Sequence, residues 1–412
     1  MSMPQQGRTR TTAICVAAGG FLVLLALVFW MYNRRDGGTI SGVTAPSGTP
    51  APAPTDKSRT HKKSGTASMP ADSAQARMEM ARRTTNAADA YRILFDLMAR
   101  AGTREKLERI LKLGADFATL TAEEKAELRM LAATPEIREI VDLLQEASLK
   151  KACDFNLDYE SGLNLQLPHI APLRSLSRLT GILALDAGDQ GSLKSACEMA
   201  GLGLSVANSL RSDKILISQL VQLACDKQVL NNLNTLAGAA ALPEEQAYGL
   251  MAEIARRDYA SGMVASMVSE STFAKDLFNK IAAGDIPEGL NGVTPEKLRD
   301  SAYLEKNKAK CEAYYNEVTA LASKPYDDAV RARLRELEGN LAGLSDDEYG
   351  LTRMMIPSFS NVLKRMNEQD AAVDATLVNL ATSAYRAKYG REPAGSDDLK
   401  GILDSAFRQP AP

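Results

Sequence analysis

From about residue 72 onward, large apolar residues recur at spacings of three and four. Leu173, Leu176, Leu179, Ile182 and Leu183 form one stripe. Leu216, Leu220, Leu223, Leu230 and Leu233 form another, with a slip in phase at Val229. This period places apolar side chains on one face of a helix, and no run alternates as a half-buried strand would. The pattern predicts an all-α fold of irregular stacked helical hairpins. Helices are expected near 72–101, 104–113, 121–132, 135–152, 171–187, 191–211, 213–238, 243–268, 271–283, 294–323, 326–342, 346–355, 358–390 and 396–406.

Local signals support these limits. Thr121 with Glu124 and Ser345 with Glu348 have capping-box spacing. Pro135, Pro243 and Pro295 suit first helical positions. Gly102, Gly114, Gly188, Gly284, Gly343 and Gly390 suit helix ends, and Pro393 stops the long helix before it. The turn around Ala184–Asp189 resembles that of a tetratricopeptide hairpin, although no repeat of that length persists. One long segment, Asp154 to Pro168, lacks helical pattern, and unstructured stretches of that length in compact domains are often functional.

The N-terminal region differs. Residues 11–33 carry no charge across 23 positions and are bounded by Arg10 and Arg34. That length crosses a bilayer core as one helix. Trp30 and Tyr32 stand where aromatic rings favour the headgroup layer. The core is followed by bulky residues and then Arg34-Arg35, not by the small residues of a signal-peptide cleavage site. Residues 1–10 are therefore expected to form a cytoplasmic tail, 11–33 a transmembrane helix, 34–70 a flexible linker and 71–412 a soluble helical domain. The linker is rich in Pro, Ala, Ser, Thr and Gly and has too few large apolar residues to offset ordering entropy. Its basic cluster of Lys57, Arg59, His61, Lys62 and Lys63 suits a solvated linker or contact with anionic headgroups. The short basic tail favours an inner-membrane protein with its C-terminal domain outside the cytoplasm.

Charge and chemistry narrow the function further. A formal net charge of −2 gives no bulk signal for nucleic acid. There are 2 histidines, His61 and His169, which rules out a multi-histidine zinc site. No HExxH, CxxC or GxxxxGK motif occurs. Asp186, Asp189 and Gly191 echo a calcium loop but serve equally as a hairpin turn. No cofactor or metal is expected. The densest polar constellation is Asp158, Tyr159, Glu160, His169, Arg174 and Arg178. Carboxylates beside a histidine suit acid–base work. Pairing of Asp158 or Glu160 with Arg174 or Arg178 would instead lock the loop to the core, and this is the favoured expectation. Among the cysteines, Cys153, Cys197, Cys225 and Cys311 fall in the domain. They fit buried thiols or, outside the cytoplasm, disulfides, with Cys197 and Cys225 as the first candidate pair.

Two stretches carry a resemblance. Cys153-Asp-Phe-Asn-Leu-Asp-Tyr-Glu160 with Gly162, followed by Leu167-Pro-His169 and Arg174 to Leu179, resembles a segment of uncharacterised helical proteins from planctomycete-type bacteria. Leu216 to Val221 and the pattern Leu380, Tyr385, Gly390, Pro393 and Leu399 are similar to later parts of that family. The resemblance implies a membrane-anchored helical envelope protein. The closing pattern also resembles the region after the long helix in type II secretion pseudopilins, but Leu25 stands where that family carries Glu. The leading expectation is a non-enzymatic scaffold or binding module with a protein partner in the envelope. A secretion-assembly component and a hydrolase using residues 154–178 are the alternatives.

Overall fold

The computed structural model describes residues 73–286, 290 and 293–407. The expected membrane helix and linker lie outside these residues. The described chain is all-helical, with no strand and a single isolated bridge between Asn86 and Ala152. Its helices are α1 (Ala74–Arg83), α2 (Ala87–Ala99), α3 (Ala101–Leu113), α4 (Ala122–Ala132), α5 (Pro135–Ser148), α6 (Ile170–Asp189), α7 (Leu193–Asn208) and α8 (Leu216–Ala239). There follow α9 (Glu244–Ile254), α10 (Tyr259–Ala282), α11 (Pro295–Arg299), α12 (Ser301–Ala322), α13 (Asp328–Ala342), α14 (Asp346–Met355), α15 (Phe359–Tyr389) and α16 (Ser396–Phe407). Two 3-10 segments cover Gly114–Thr119 and Tyr159–Asn164. Among the described residues no helix is long and apolar enough to cross a membrane.

Helix limits follow side-chain caps more than apolar pattern. The helix expected over 72–101 breaks before α2, where Asn86 accepts from the Ala88 N–H at 3.2 Å. The break expected near 269–270 is absent. It lies instead before α10, where Asp258 accepts from the Ser261 N–H at 3.0 Å. The helix expected over 294–323 divides at Asp300, whose carboxylate caps α12 through the Ala302 and Tyr303 amides. Each break uses a short polar side chain to satisfy amides that have no intrahelical acceptor. The capping box at Thr121 and Glu124 forms in both directions. Ser345 caps through the Asp347 amide instead. Gly102 and Gly188 lie inside helices, and the left-handed turn after α6 falls at Gly191, with φ 73°.

Three apolar clusters make the core. The first joins α1–α7 around Tyr91, Leu94, Ile140 and Leu173. The second joins α10–α15 around Phe278, Tyr315 and Phe359. The third joins the C-terminal parts of α6, α8 and α15 with α7, α9 and α16 around Leu233, Met251 and Leu380. Helix α8 serves all three: Val221 and Cys225 enter the first, Leu216 and Leu223 the second, Val229 to Leu236 the third. A helix with apolar residues on several sides has neighbours on several sides. The slip at Val229 marks where α8 changes the neighbours it packs against.

Candidate functional site

The non-helical segment 154–168 is docked, and its anchors are backbone groups. The Asn86 side chain donates to the Asp154 carbonyl at 2.7 Å and accepts from its N–H at 2.9 Å. Arg92 Nη2 donates to the Phe155 carbonyl at 2.7 Å. Ser212 donates to the Cys153 carbonyl at 2.5 Å. The Tyr159 hydroxyl accepts from the Lys214 N–H at 3.2 Å, and its ring stacks on Phe273. The segment thus bridges α2 to the α7–α8 turn.

His169 closes this segment from below. Its ring stacks on Phe155, with centroids 4.1 Å apart. Nε2 lies 2.8 Å from Asp213 Oδ2, and the Ser218 hydroxyl donates to that same oxygen at 2.8 Å. Histidine, aspartate and serine are all present, yet the carboxylate stands in the middle. A nucleophile–base relay needs the imidazole in the middle, between hydroxyl and carboxylate. His169, Asp213 and Ser218 are all buried. The group holds the start of α6 to the turn before α8.

The six singled-out residues divide. Asp158 and His169 line one cleft of about 510 Å³ together with Arg92, Asp96 and Phe155. Tyr159, Glu160 and Arg174 line neither this cleft nor the larger one. Asp158 and Glu160 are exposed, and neither forms an ion pair with Arg174 or Arg178 among the described residues. The expected charge lock is replaced by hydrogen bonds to the loop backbone. Arg178 points elsewhere: its Nη2 donates to the Leu111 carbonyl at 3.0 Å. Desolvation first, and the Arg174 charge second, hold its pKa below the usual arginine value.

Arg178 belongs to a second cleft of about 1280 Å³, which lies between the α3–α4 connection, α6, α8 and α15. Its floor is the solvent-facing row of α8: Ala224, Lys227, Gln228, Asn231, Asn232 and Thr235. Helix α6 meets this row at close range. A Cβ on Gly181 would stand 2.4 Å from Asn232 Nδ2 and 3.3 Å from Gln228 Nε2. The Cys225 thiol meets the Ser177 hydroxyl, and Gly188 abuts Leu236. Helices α6 and α8 therefore run parallel, with Arg178 level with Lys227. On the opposite wall the α15 side chain Gln369 reaches Tyr259, whose hydroxyl donates to Asp226 at 3.1 Å. Asp226 precedes Lys227, so Gln369 stands at the same level. Arg365 lies one turn earlier on that wall.

The two ends of this cleft differ in charge. At one end Lys125 and Arg129 bond Asp189 at 2.7 and 2.8 Å, and Arg129 also bonds Asp186 at 2.8 Å. The Lys125 hydrogen bond, then Arg129, holds the Asp189 carboxyl below its usual range. There the two aspartates are engaged by cations, not arranged as a calcium loop, and Asp116 beside Phe117 adds an exposed carboxylate to the lining. The other end is lined by Arg178, Lys227 and Arg365 and by the carboxylate of Glu368, which lies 3.8 Å from Lys364. Lys227 makes no ion pair among the described residues. The amide row of α8 lies between the two ends. Sequence reading missed this row, since Gln and Asn at helical spacing look like any solvated face.

The four domain thiols are free, and Cys197 and Cys225 pack in different clusters. Burial pushes the thiols of Cys153, Cys225 and Cys311 up to about 12 and that of Cys197 to about 11. Such thiols stay protonated near neutral pH and are weak nucleophiles. No group of three or more His, Cys, Asp or Glu is arranged to hold a metal among the described residues. No family model, curated protein or solved structure matches the chain.

Proposed function

We propose that this protein is a membrane-tethered binding module of the bacterial envelope, and that the cleft between α6, α8 and α15 is its binding site. One observation carries the reading. Helix α8 touches all three core clusters, yet a row of its polar side chains stays open to solvent and lines a cleft. A concave site with convergent polar groups on rigid helices is a recognition surface. The α6–α7 hairpin, tetratricopeptide-like in its turn, supplies one wall and keeps it fixed. The N-terminal apolar run supplies the tether and the Pro-rich linker its reach. Residues 1–10 form the cytoplasmic tail, and the helical domain works outside the inner membrane.

The test is affinity purification of the full chain from native membranes, with partner identification. Wild-type protein should retain a partner that Lys227→Glu and Asn231→Ala lose. Both side chains are exposed, so neither change disturbs the core. A partner set indifferent to both variants would remove the cleft from the function.

A further inference from the structure

We propose that this cleft takes an extended acidic peptide, its carboxylates at the Arg178–Lys227–Arg365 end and its backbone on the α8 amide row. The inference rests on the cleft being the binding site and adds the class of ligand. Three features point to a peptide. First, Gln228, Asn231 and Asn232 each carry an amide with both donor and acceptor. Their side chains form no hydrogen bond with described residues, so this capacity faces the cleft unspent. A peptide backbone presents one N–H and one carbonyl per residue and answers such a row whatever its side chains. Second, the row repeats at helical spacing along one wall, which suits an extended chain better than a compact solute. Thr235 and Ala239 continue it toward the Asp189 end.

Third, the positive charge not already paired with Asp189 is placed at one end. Arg178 spends one N–H on a carbonyl and has another arginine, Arg174, as its electrostatic neighbour. Lys227 stands level with it and makes no ion pair among the described residues. Arg365 adds a third positive group and Glu368 a single negative one. Carboxylates seated there would satisfy the guanidinium and ammonium by charge-assisted hydrogen bonds. The far end, where Asp189 is already bonded by Lys125 and Arg129 and Asp116 adds an exposed carboxylate to the lining, offers no unpaired cation among the described residues and suits a stretch of the same peptide without carboxylates.

The experiment uses the full chain in detergent and fluorescein-labelled peptides read by anisotropy. One probe alternates Glu, Ala and Gly; a second replaces Glu by Lys; a third keeps Glu but methylates alternate backbone nitrogens. The first should bind at least about tenfold more tightly than either other. Lys227→Glu and Asn231→Ala should each weaken it about tenfold or more, while Lys400→Glu, exposed on α16, leaves it unchanged. Equal binding of the acidic and basic probes would overturn the charge assignment. Equal binding of the methylated probe, or full competition by inorganic phosphate, would reduce the site to a simple anion trap and overturn the peptide class. Should no probe bind while a native partner still depends on Lys227 and Asn231, the peptide class fails and the binding module stands. Loss of both dependences sinks the two together.

Discussion

A carboxyl group removed from water keeps its proton unless charge or hydrogen bonds offset the lost hydration. Glu270 on α10 is such a group. It accepts the Leu216 N–H at the start of α8 at 3.1 Å, but burial dominates and raises it from 4.5 to about 8. The folded state therefore holds a proton that the unfolded chain has released between those values. Stability from this group is present in full below the unfolded value and is lost as pH rises toward about 8. Glu270→Gln keeps the acceptor and removes the ionisation. Melting temperatures measured from pH 5 to 9 should fall less for this variant than for wild type, with a difference on the order of 3 kcal/mol at the alkaline end. Parallel curves would place Glu270 in contact with water. Asp213 is also buried, and its Oδ2 lies 2.8 Å from both His169 Nε2 and the Ser218 hydroxyl. Asp213→Ala strands both His169 and Ser218, and a loss of about 2–4 kcal/mol is expected in urea unfolding. Ser218→Ala removes one donor only and should cost about 1 kcal/mol.

At the scale of elements, α6, α7 and α8 approach so closely that two glycines become opposite tests. A Cβ on Gly203 of α7 would stand 2.8 Å from Val229 Cγ2 and 3.0 Å from Thr180 Oγ1. Both obstructing groups are branched at Cβ and have little rotamer freedom. Gly203→Ala should destabilise by about 1–3 kcal/mol through overpacking, although alanine favours a helix by about 1 kcal/mol. At Gly181 the obstruction is the mobile end of Asn232, which can swing into the cleft. Gly181→Ala should leave stability unchanged or slightly raised while weakening whatever the cleft binds. Denaturant midpoints of the pair, read beside a binding assay, separate the two effects. An equal stability loss in both would deny that Asn232 is free to move. The helices themselves were legible because their apolar period is strong, and Gly284 and Gly390 ended α10 and α15 in left-handed turns as expected. The breaks at Asn86, Asp258 and Asp300 were written in the sequence as capping residues but were overridden by continuous apolar pattern. The loop's anchors were not legible, because Asn86, Arg92 and Ser212 hold its backbone from distant parts of the chain.

At the scale of the molecule, α8 enters all three clusters and the 31-residue α15 joins the second to the third. The cleft they border was beyond sequence reading, since it depends on which helix faces remain uncovered after packing. Arg178 alone connects the constellation read from sequence to this cleft. What a cleft can meet depends on which side of the membrane holds it. Arg8 and Arg10 precede the apolar run, and Arg34 and Arg35 follow it, so the charge bias across it is small. With Arg8 and Arg10 kept inside, the proposed topology has residues 40–412 outside the cytoplasm. Alkaline phosphatase fused after Pro412 should be active in intact cells, and a cytoplasm-dependent fluorescent reporter at the same position should be dark. Reversal of both signals would put the domain inside. In that case the acidic peptide sought by the cleft would have to be cytoplasmic, and the partner search would move with it.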